Sequence, residues 1–196
     1  MLDANHLLEQ LRSVGALKDG HFLLASGRHS DRYVEKFDLL RQPSATSDVC
    51  RRLADQIRGE RVDVVVGPTT GGVILAFEVA RQLGVAAAYA ERRSDGVSGR
   101  EFRRGTTFSP DQRVLVVDDI LTTGGSVRET LAALAAQPVD IVAVAVLVDR
   151  SGGRVTFEVP LVALTTLDVA TWDAERCPLC AEGIPLVKPG TTSVPT

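Results

Sequence analysis

Lysine is scarce in this chain of 196 residues, which contains only Lys18, Lys36 and Lys188. Arginine therefore carries most of the positive charge, and although arginine suits bidentate contacts with phosphate, we prefer genomic composition as the explanation. The formal net charge of −3 argues against general binding to nucleic acid or membrane surfaces. No run of 18 apolar residues occurs, so no transmembrane helix is indicated. The acid-containing N-terminus is typical of an amphipathic helix, not of a signal peptide.

Cysteine is also rare: the three cysteines, Cys50, Cys177 and Cys180, do not make a disulfide framework. Reduced thiols and a cytoplasmic location are therefore expected. The Cys177-Pro-Leu-Cys180 segment could supply half of a zinc site, which needs four ligands. No other cysteine or histidine lies nearby in the sequence, so zinc would require a second chain, and we prefer two small buried thiols. His21 and His29, as lone histidines, are poor indicators of a site.

Apolar runs alternate with helical periodicity through the middle of the chain. The runs lack period-2 alternation, which is typical of strands covered on both faces of a mostly parallel sheet. We expect helices at 3–17, 45–58 (capped by Ser44 or Ser47), 73–83 and 125–136. Strands are expected at 62–66, 85–90, 114–117 and 141–148, with β-like or irregular structure at 21–41 and a long mobile loop at 91–112. The prediction is a single α/β domain over 1–196, with a core at about 45–170 and a small hood from 1–40 plus part of the C-terminal tail.

The most specific motif follows the third of these strands, where two acids precede a loop of small residues and a helix. The acids are Asp118 and Asp119, and the loop continues to Ser126. Small residues allow backbone N–H groups to surround a phosphate, and the N-terminus of the following helix adds its partial positive charge. Carboxylates at the end of the strand would repel phosphate, so they more plausibly accept hydrogen bonds from ribose hydroxyls. The segment therefore predicts a ribose-5-phosphate site.

Two other phosphate motifs are missing. Without G-x-x-x-x-G-K-[ST] a P-loop NTPase is disfavoured, and without G-x-G-x-x-G after a strand a dinucleotide-binding Rossmann site is disfavoured.

The 114–126 segment resembles the signature of the type I phosphoribosyltransferases, which bind 5-phosphoribosyl-1-pyrophosphate (PRPP). This resemblance implies a Rossmann-like, mostly parallel sheet with flanking helices and a hood, together with Mg²⁺-dependent transfer of phosphoribosyl to a nitrogen base. Mg²⁺ would be held mainly through PRPP with few protein ligands, and no residue is assigned to the metal. The implied PRPP-binding residues are Asp118, Asp119, Ile120, Leu121, Thr122, Thr123, Gly124, Gly125, Ser126, Thr70, Gly71, Arg92 and Arg93.

Other segments resemble the orotate phosphoribosyltransferases, especially the Thermus-type bacterial group. They include the 20–33 segment with Ser26-Gly27-Arg28, the turn at 66–72, the 90–105 loop, the Val148-Asp149-Arg150 strand end and the 177–190 tail. The resemblance implies transfer to orotate in pyrimidine biosynthesis by a homodimer. The implied orotate-binding residues are Ser26, Gly27, Arg28, Lys36, Thr122 and Arg150. The implied catalytic residues are Arg92, Asp118, Asp119, Arg103 and Arg104.

Because the sequence departs from that family's pattern at three places, two alternative functions stay open. Ala25 and Gly71 replace lysines that many members carry, and the 94–104 loop has neither lysine nor histidine. Arg100, Arg103 and Arg104 could supply the charge, although arginine cannot act as a general acid. The alternatives are a phosphoribosyltransferase for a purine base and a non-catalytic PRPP-sensing regulator that binds RNA or protein. The 26–28 segment and Arg150 favour a carboxylated pyrimidine.

Overall fold

A six-stranded sheet forms the centre of the molecule in a computed structural model that describes residues 4–189. Its strand order is β5-β4-β3-β6-β7-β8, and every neighbouring pair is parallel except β4 and β5. The strands are β3 (Val64–Pro68), β4 (Ala86–Arg92), β5 (Arg100–Glu101), β6 (Gln112–Leu121), β7 (Val139–Asp149) and β8 (Leu161–Thr166). The predicted α/β class with a mostly parallel sheet is confirmed.

Helices cover both faces of this sheet, as the unalternating apolar runs require. They are α1 (Ala4–Ser13), α2 (Lys36–Leu40), α3 (Pro43–Ile57), α4 (Gly71–Leu83) and α5 (Gly125–Leu134). Successive side chains of β3 point to opposite faces of the sheet. Val65 belongs to the apolar cluster that contains Leu53 and Leu75. Val64 and Val66 belong to the cluster on the other face, which contains Val127. No helix within 4–189 is long and apolar enough to span a membrane.

The hood is a separate three-stranded antiparallel sheet. It consists of β1 (Leu17–Leu23), β2 (His29–Val34) and the short β9 (Thr171–Trp172), in the order β1-β2-β9. A 3₁₀ turn (Ala174–Arg176) and the helix α6 (Pro178–Ala181) follow β9. The N-terminal hairpin and the C-terminal tail are therefore joined in one small layer.

Three local predictions need correction. Helix α3 begins at Pro43 with Gln42 as its N-cap, because proline suits the first helical position. Ser44 and Ser47, the predicted caps, therefore lie inside the helix. The Ser47 hydroxyl donates instead to Glu78 Oε1 at 2.6 Å. The 91–112 segment is not wholly a loop, since its start continues β4 and pairs with β5. The structure also contains α2 and β8, two elements that the apolar pattern of the sequence did not predict.

Candidate active site

Three connections meet at one edge of the sheet because β3, β6 and β7 are parallel neighbours. The turn at 68–72 leaves β3, the phosphate loop at 122–126 leaves β6, and Arg150 follows β7 directly. In open α/β sheets, ligands bind at the carboxyl ends of such strands. The topology thus brings together segments that are up to about eighty residues apart in sequence.

The acid pair lies inside the end of β6 and is almost fully shielded, with 5% of Asp118 and 4% of Asp119 exposed. Asp118 accepts hydrogen bonds from the Ser126 hydroxyl at 2.5 Å and from the Asp119 amide at 2.9 Å. Burial, and then the neighbouring charge of Asp119, raises the pKa of Asp118 to about 6 despite those bonds. Such a raised pKa marks a costly carboxylate that a ligand could use.

Lys36 supplies the positive charge next to this pair. Its Nζ lies 2.8 Å from Asp119 Oδ2, so the hood-side helix α2 is ion-paired with the core sheet. Gly71 explains how the carboxylate fits: a Cβ at that position would lie 2.0 Å from Asp119 Oδ2. The structure therefore places Lys36 on the acid pair, and its predicted contact with orotate stays a prediction.

The phosphate loop presents a set of backbone donors at the start of α5. Gly124 is the N-cap in the left-handed region (φ 77°) and no side chain caps the helix. A side chain at Gly124 would also meet Val155 Cγ1 at 2.8 Å, so glycine is required there. Thr122, Thr123 and Gly125 are exposed. Uncapped N–H groups beside exposed hydroxyls form an anion-binding geometry.

Arg100 holds the turn after β3, a role that sequence reasoning did not assign. Its guanidinium is buried and donates to Thr69 Oγ1 and to the Ala90 carbonyl, both at 3.0 Å, and to the Thr69 carbonyl at 3.3 Å. Its Nε also lies 3.4 Å from Glu129. Desolvation lowers the pKa of Arg100. The Thr69–Thr70 peptide bond within the turn is cis.

The other loop arginines lie on the surface near this edge. Arg93 pairs with Asp95, and Arg104 donates to both oxygens of Glu91 at 3.2 Å. Arg103 Nε is 3.9 Å from Glu101. Arg92, at the end of β4, is exposed, and its side chain makes no hydrogen bond or ion pair with the part of the chain from 4 to 189. Three of these four arginines are therefore engaged by acids of the chain itself.

Arg150 differs from these, because it is partly buried and has no carboxylate within ion-pair distance among residues 4–189. Its Nε is fully shielded and has no hydrogen-bond partner. Burial lowers the pKa of Arg150, while Tyr33 opposes that effect. A shielded guanidinium without a counter-ion suits an anionic ligand.

The predicted base-binding segment forms the tip of the β1–β2 hairpin. Gly27 has a φ of 79°, and the Leu24 amide donates to the Arg28 carbonyl at 2.9 Å. The Arg28 guanidinium is occupied by the tail: it donates to the Thr171 carbonyl at 2.8 Å and to Asp173 Oδ1 at 2.6 Å. Only the exposed backbone of the tip and Ser26 are left to contact a base.

The expectation that Cys177 and Cys180 are two small buried thiols is wrong. Histidines distant in sequence, His21 and His29, come together with Cys177 and Cys180 in one cluster. The pairing of β2 with β9 brings these segments together, and sequence proximity could not reveal it. Cys180 is moreover exposed, so the two thiols are not both buried.

Comparison with known proteins agrees with this geometry. The family described as "Phosphoribosyl transferase domain" matches residues 38–175, which include the acid pair and the phosphate loop. The fold and the site therefore define a phosphoribosyltransferase.

Individual relatives narrow this class. An orotate phosphoribosyltransferase of Caldanaerobacter subterraneus subsp. tengcongensis is 43% identical over 190 residues, covering 97% of this chain and 98% of the relative. The crystal structure of orotate phosphoribosyltransferase from Aeropyrum pernix superposes with a TM-score of 0.68 at 30% identity, over 82% of this chain and 93% of that one. The chain belongs to the orotate phosphoribosyltransferase family.

A third similarity extends to the fold alone. Adenine phosphoribosyltransferase from Thermoanaerobacter pseudethanolicus superposes with a TM-score of 0.59 at 15% identity, over 69% of this chain and 88% of that one. The same fold therefore accompanies a different base in that protein, and the base must be argued from the site.

Proposed function

We propose that this chain transfers the phosphoribosyl group of PRPP to orotate, giving orotidine 5′-monophosphate and pyrophosphate for pyrimidine biosynthesis. The observation that carries this choice of base is Arg150, a partly buried cation for which residues 4–189 provide no counter-ion, at the edge that holds the phosphate loop. Orotate has a carboxylate that would complete this ion pair. Adenine has none, so a purine would leave the cation unpaired.

The reaction follows from the positions of the donors and acids. The 122–126 loop and the α5 N-terminus would bind the 5′-phosphate, and Asp118 and Asp119 would accept hydrogen bonds from the ribose hydroxyls. The base nitrogen then attacks C1 of the ribose and releases its proton to water, while the C1–oxygen bond breaks and pyrophosphate leaves from the opposite face. The sugar passes through an oxocarbenium-like state, and buried carboxylates beneath it would stabilise its positive charge.

The leaving pyrophosphate needs preorganised positive charge. The turn at 69–72, held by Arg100, would contact it through backbone donors. Arg92 is the predicted loop cation that no acid within 4–189 occupies. Arg103 and Arg104 would have to exchange Glu101 and Glu91 for pyrophosphate, a rearrangement that suits a closing loop which also excludes water.

Magnesium is the cofactor that we propose for this step. Mg²⁺ keeps several waters and binds through few protein carboxylates plus substrate phosphates. The oxygens of Asp118 and Asp119 are already engaged by Ser126, backbone amides and Lys36. The residues therefore fit an ion held mainly through PRPP, where it would neutralise the charge that develops on pyrophosphate.

A homodimer and a cytoplasmic location complete the proposal. An apolar surface on α4 supports the dimer: Phe77 is 66% exposed and Ile74 39% exposed. Large exposed apolar side chains that lie together are typical of protein interfaces.

The first experiment mixes purified protein with PRPP, Mg²⁺ and orotate and follows the ultraviolet loss of orotate. Consumption that requires PRPP and Mg²⁺ is the expected result. If orotate persists while PRPP still binds by calorimetry, the proposal fails in favour of another base or a PRPP-sensing regulator, and adenine consumption would distinguish these two.

Arg150→Gln tests the base assignment. We expect the KM for orotate to rise by about 10- to 100-fold, because one charged hydrogen bond is lost. The KM for PRPP should be nearly unchanged. Arg154→Gln is the matched control, because Arg154 is exposed four residues away. An equal effect on both substrates would contradict a contact between Arg150 and the base.

A further inference from the structure

Two histidines of the hood hairpin and two cysteines of the tail point four ligand atoms at one another. His21 Nε2 lies 2.9 Å from His29 Nδ1, 3.4 Å from Cys177 Sγ and 3.7 Å from Cys180 Sγ. Cys180 Sγ is also 3.3 Å from His29 Nδ1. All four ligand atoms lie within 4.8 Å of one another.

These separations are close to those of a tetrahedral zinc site. With Zn–N of about 2.0–2.1 Å and Zn–S of about 2.3 Å, tetrahedral geometry requires nitrogens about 3.3 Å apart and nitrogen–sulfur distances of about 3.6 Å. Three of the four nitrogen–sulfur distances, from 3.3 to 3.7 Å, lie on both sides of that value, and the fourth is at most 4.8 Å. The nitrogen–nitrogen distance of 2.9 Å is shorter than the tetrahedral value, so a central ion would require a small outward shift of the rings.

The outer contacts of His21 orient its free nitrogen toward the cluster. Its Nδ1 lies 2.8 Å from the carbonyl of Ile184, which can only accept, so Nδ1 carries the proton and Nε2 has the lone pair. Histidines that bind metals usually donate their other N–H to such a carbonyl, which orients the ring. His21, His29 and Cys177 are buried, whereas Cys180 is exposed and offers a route of entry.

The cluster lies where the tail is attached to the hood. The Val187 amide donates to the His21 carbonyl, and the Leu23 amide donates to the Val187 carbonyl, both at 2.8 Å. Cys177 is the N-cap of α6 and Cys180 lies within it, and this helix of only four residues cannot be stable alone. A tetrahedral ion would cross-link both segments at this point.

We propose that His21, His29, Cys177 and Cys180 bind one zinc ion that fixes the C-terminal tail to the hood. Four protein ligands complete the tetrahedron, so the site is structural and has no open position for a substrate. Its sulfur and nitrogen ligands select zinc over Mg²⁺, which prefers oxygen. The site is thus chemically distinct from the PRPP edge, and the inference does not rest on the proposed function.

Metal analysis of the whole purified chain tests the proposal. Protein produced with added zinc and then dialysed is expected to retain about one zinc per chain by plasma mass spectrometry. Cys177→Ser with Cys180→Ser, and separately His29→Asn, should lose nearly all of it. The controls are Cys50→Ala, which removes the thiol outside the cluster, and His6→Asn, which changes an exposed histidine; both should keep their zinc.

A second measurement needs no variant. Replacing zinc with Co²⁺ in the wild-type chain should give visible absorption typical of tetrahedral coordination and near-ultraviolet thiolate bands. A strong chelator should remove the ion and lower the Tm by several degrees, and zinc should restore it. A wild-type chain that retains no zinc and gives no cobalt spectrum would overturn the proposal, and the cluster would then be held by hydrogen bonds between imidazoles and thiols alone.

Discussion

At the scale of a single residue, the buried Asp118 carboxylate lowers the free energy of unfolding of the ligand-free protein and provides an acceptor for a ribose hydroxyl. Burial and the charge of Asp119 raise its pKa from 3.8 to about 6. Between these values the folded protein binds a proton that the unfolded chain has released, so stability falls as pH rises through that window. Above pH 6 the ionised carboxylate is retained at a cost, and a ribose hydroxyl would offset it.

Asp118→Asn should therefore stabilise the ligand-free protein above pH 7, by roughly 1–3 kcal/mol. The same change should weaken PRPP binding, because a ribose hydroxyl loses a charged acceptor. Thermal unfolding at pH 8 and calorimetry with PRPP measure the two effects. At pH 3, below both pKa values, the stabilisation should vanish, since the wild-type carboxyl is then mostly protonated in the folded and the unfolded state. A variant that is less stable than the wild type at pH 8 would contradict this account.

At the scale of elements, Arg100 connects the short hairpin β4–β5 to the turn after β3. Its bonds to Thr69 and Ala90 join two neighbouring strand ends and leave the guanidinium unavailable to a substrate. The sequence predicted positive charge in this loop but not that one arginine would turn inward. We therefore regard Arg100 as a positioning residue for the pyrophosphate turn.

Arg100→Gln should raise the KM for PRPP by about tenfold or more, because charged hydrogen bonds contribute about 1.5–3 kcal/mol each. The KM for orotate should change little, and Arg100→Lys should restore part of the loss. Arg113→Gln is the control, since Arg113 also binds a carbonyl, that of Arg61, but at the opposite end of the sheet. Equal losses for both variants would assign Arg100 a general structural role.

For the whole molecule, the exposed apolar surface of α4 supports assembly. Phe77→Glu should yield monomers in analytical ultracentrifugation at concentrations where the wild type is dimeric. The Tm of this variant should stay close to that of the wild type, because Phe77 is already mostly exposed. Ala136→Glu, on the exposed surface beyond α5 and on the other face of the sheet, should leave the dimer intact. Wild-type protein that sediments as a monomer at all concentrations would contradict the proposed homodimer.

The sequence by itself determined the α/β class, the parallel sheet and the phosphate loop, because these follow from local patterns: unalternating apolar runs, a glycine that stops α4, and two acids before small residues. Only the tertiary structure decided which charges meet. Lys36 reaches Asp119, Arg100 turns inward, and Arg150 has no counter-ion in the described part of the chain. Likewise, His21 and His29 join Cys177 and Cys180 through a pairing of strands some 140 residues apart. Contacts of this kind depend on strand order and side-chain direction, which no local pattern in the sequence contains.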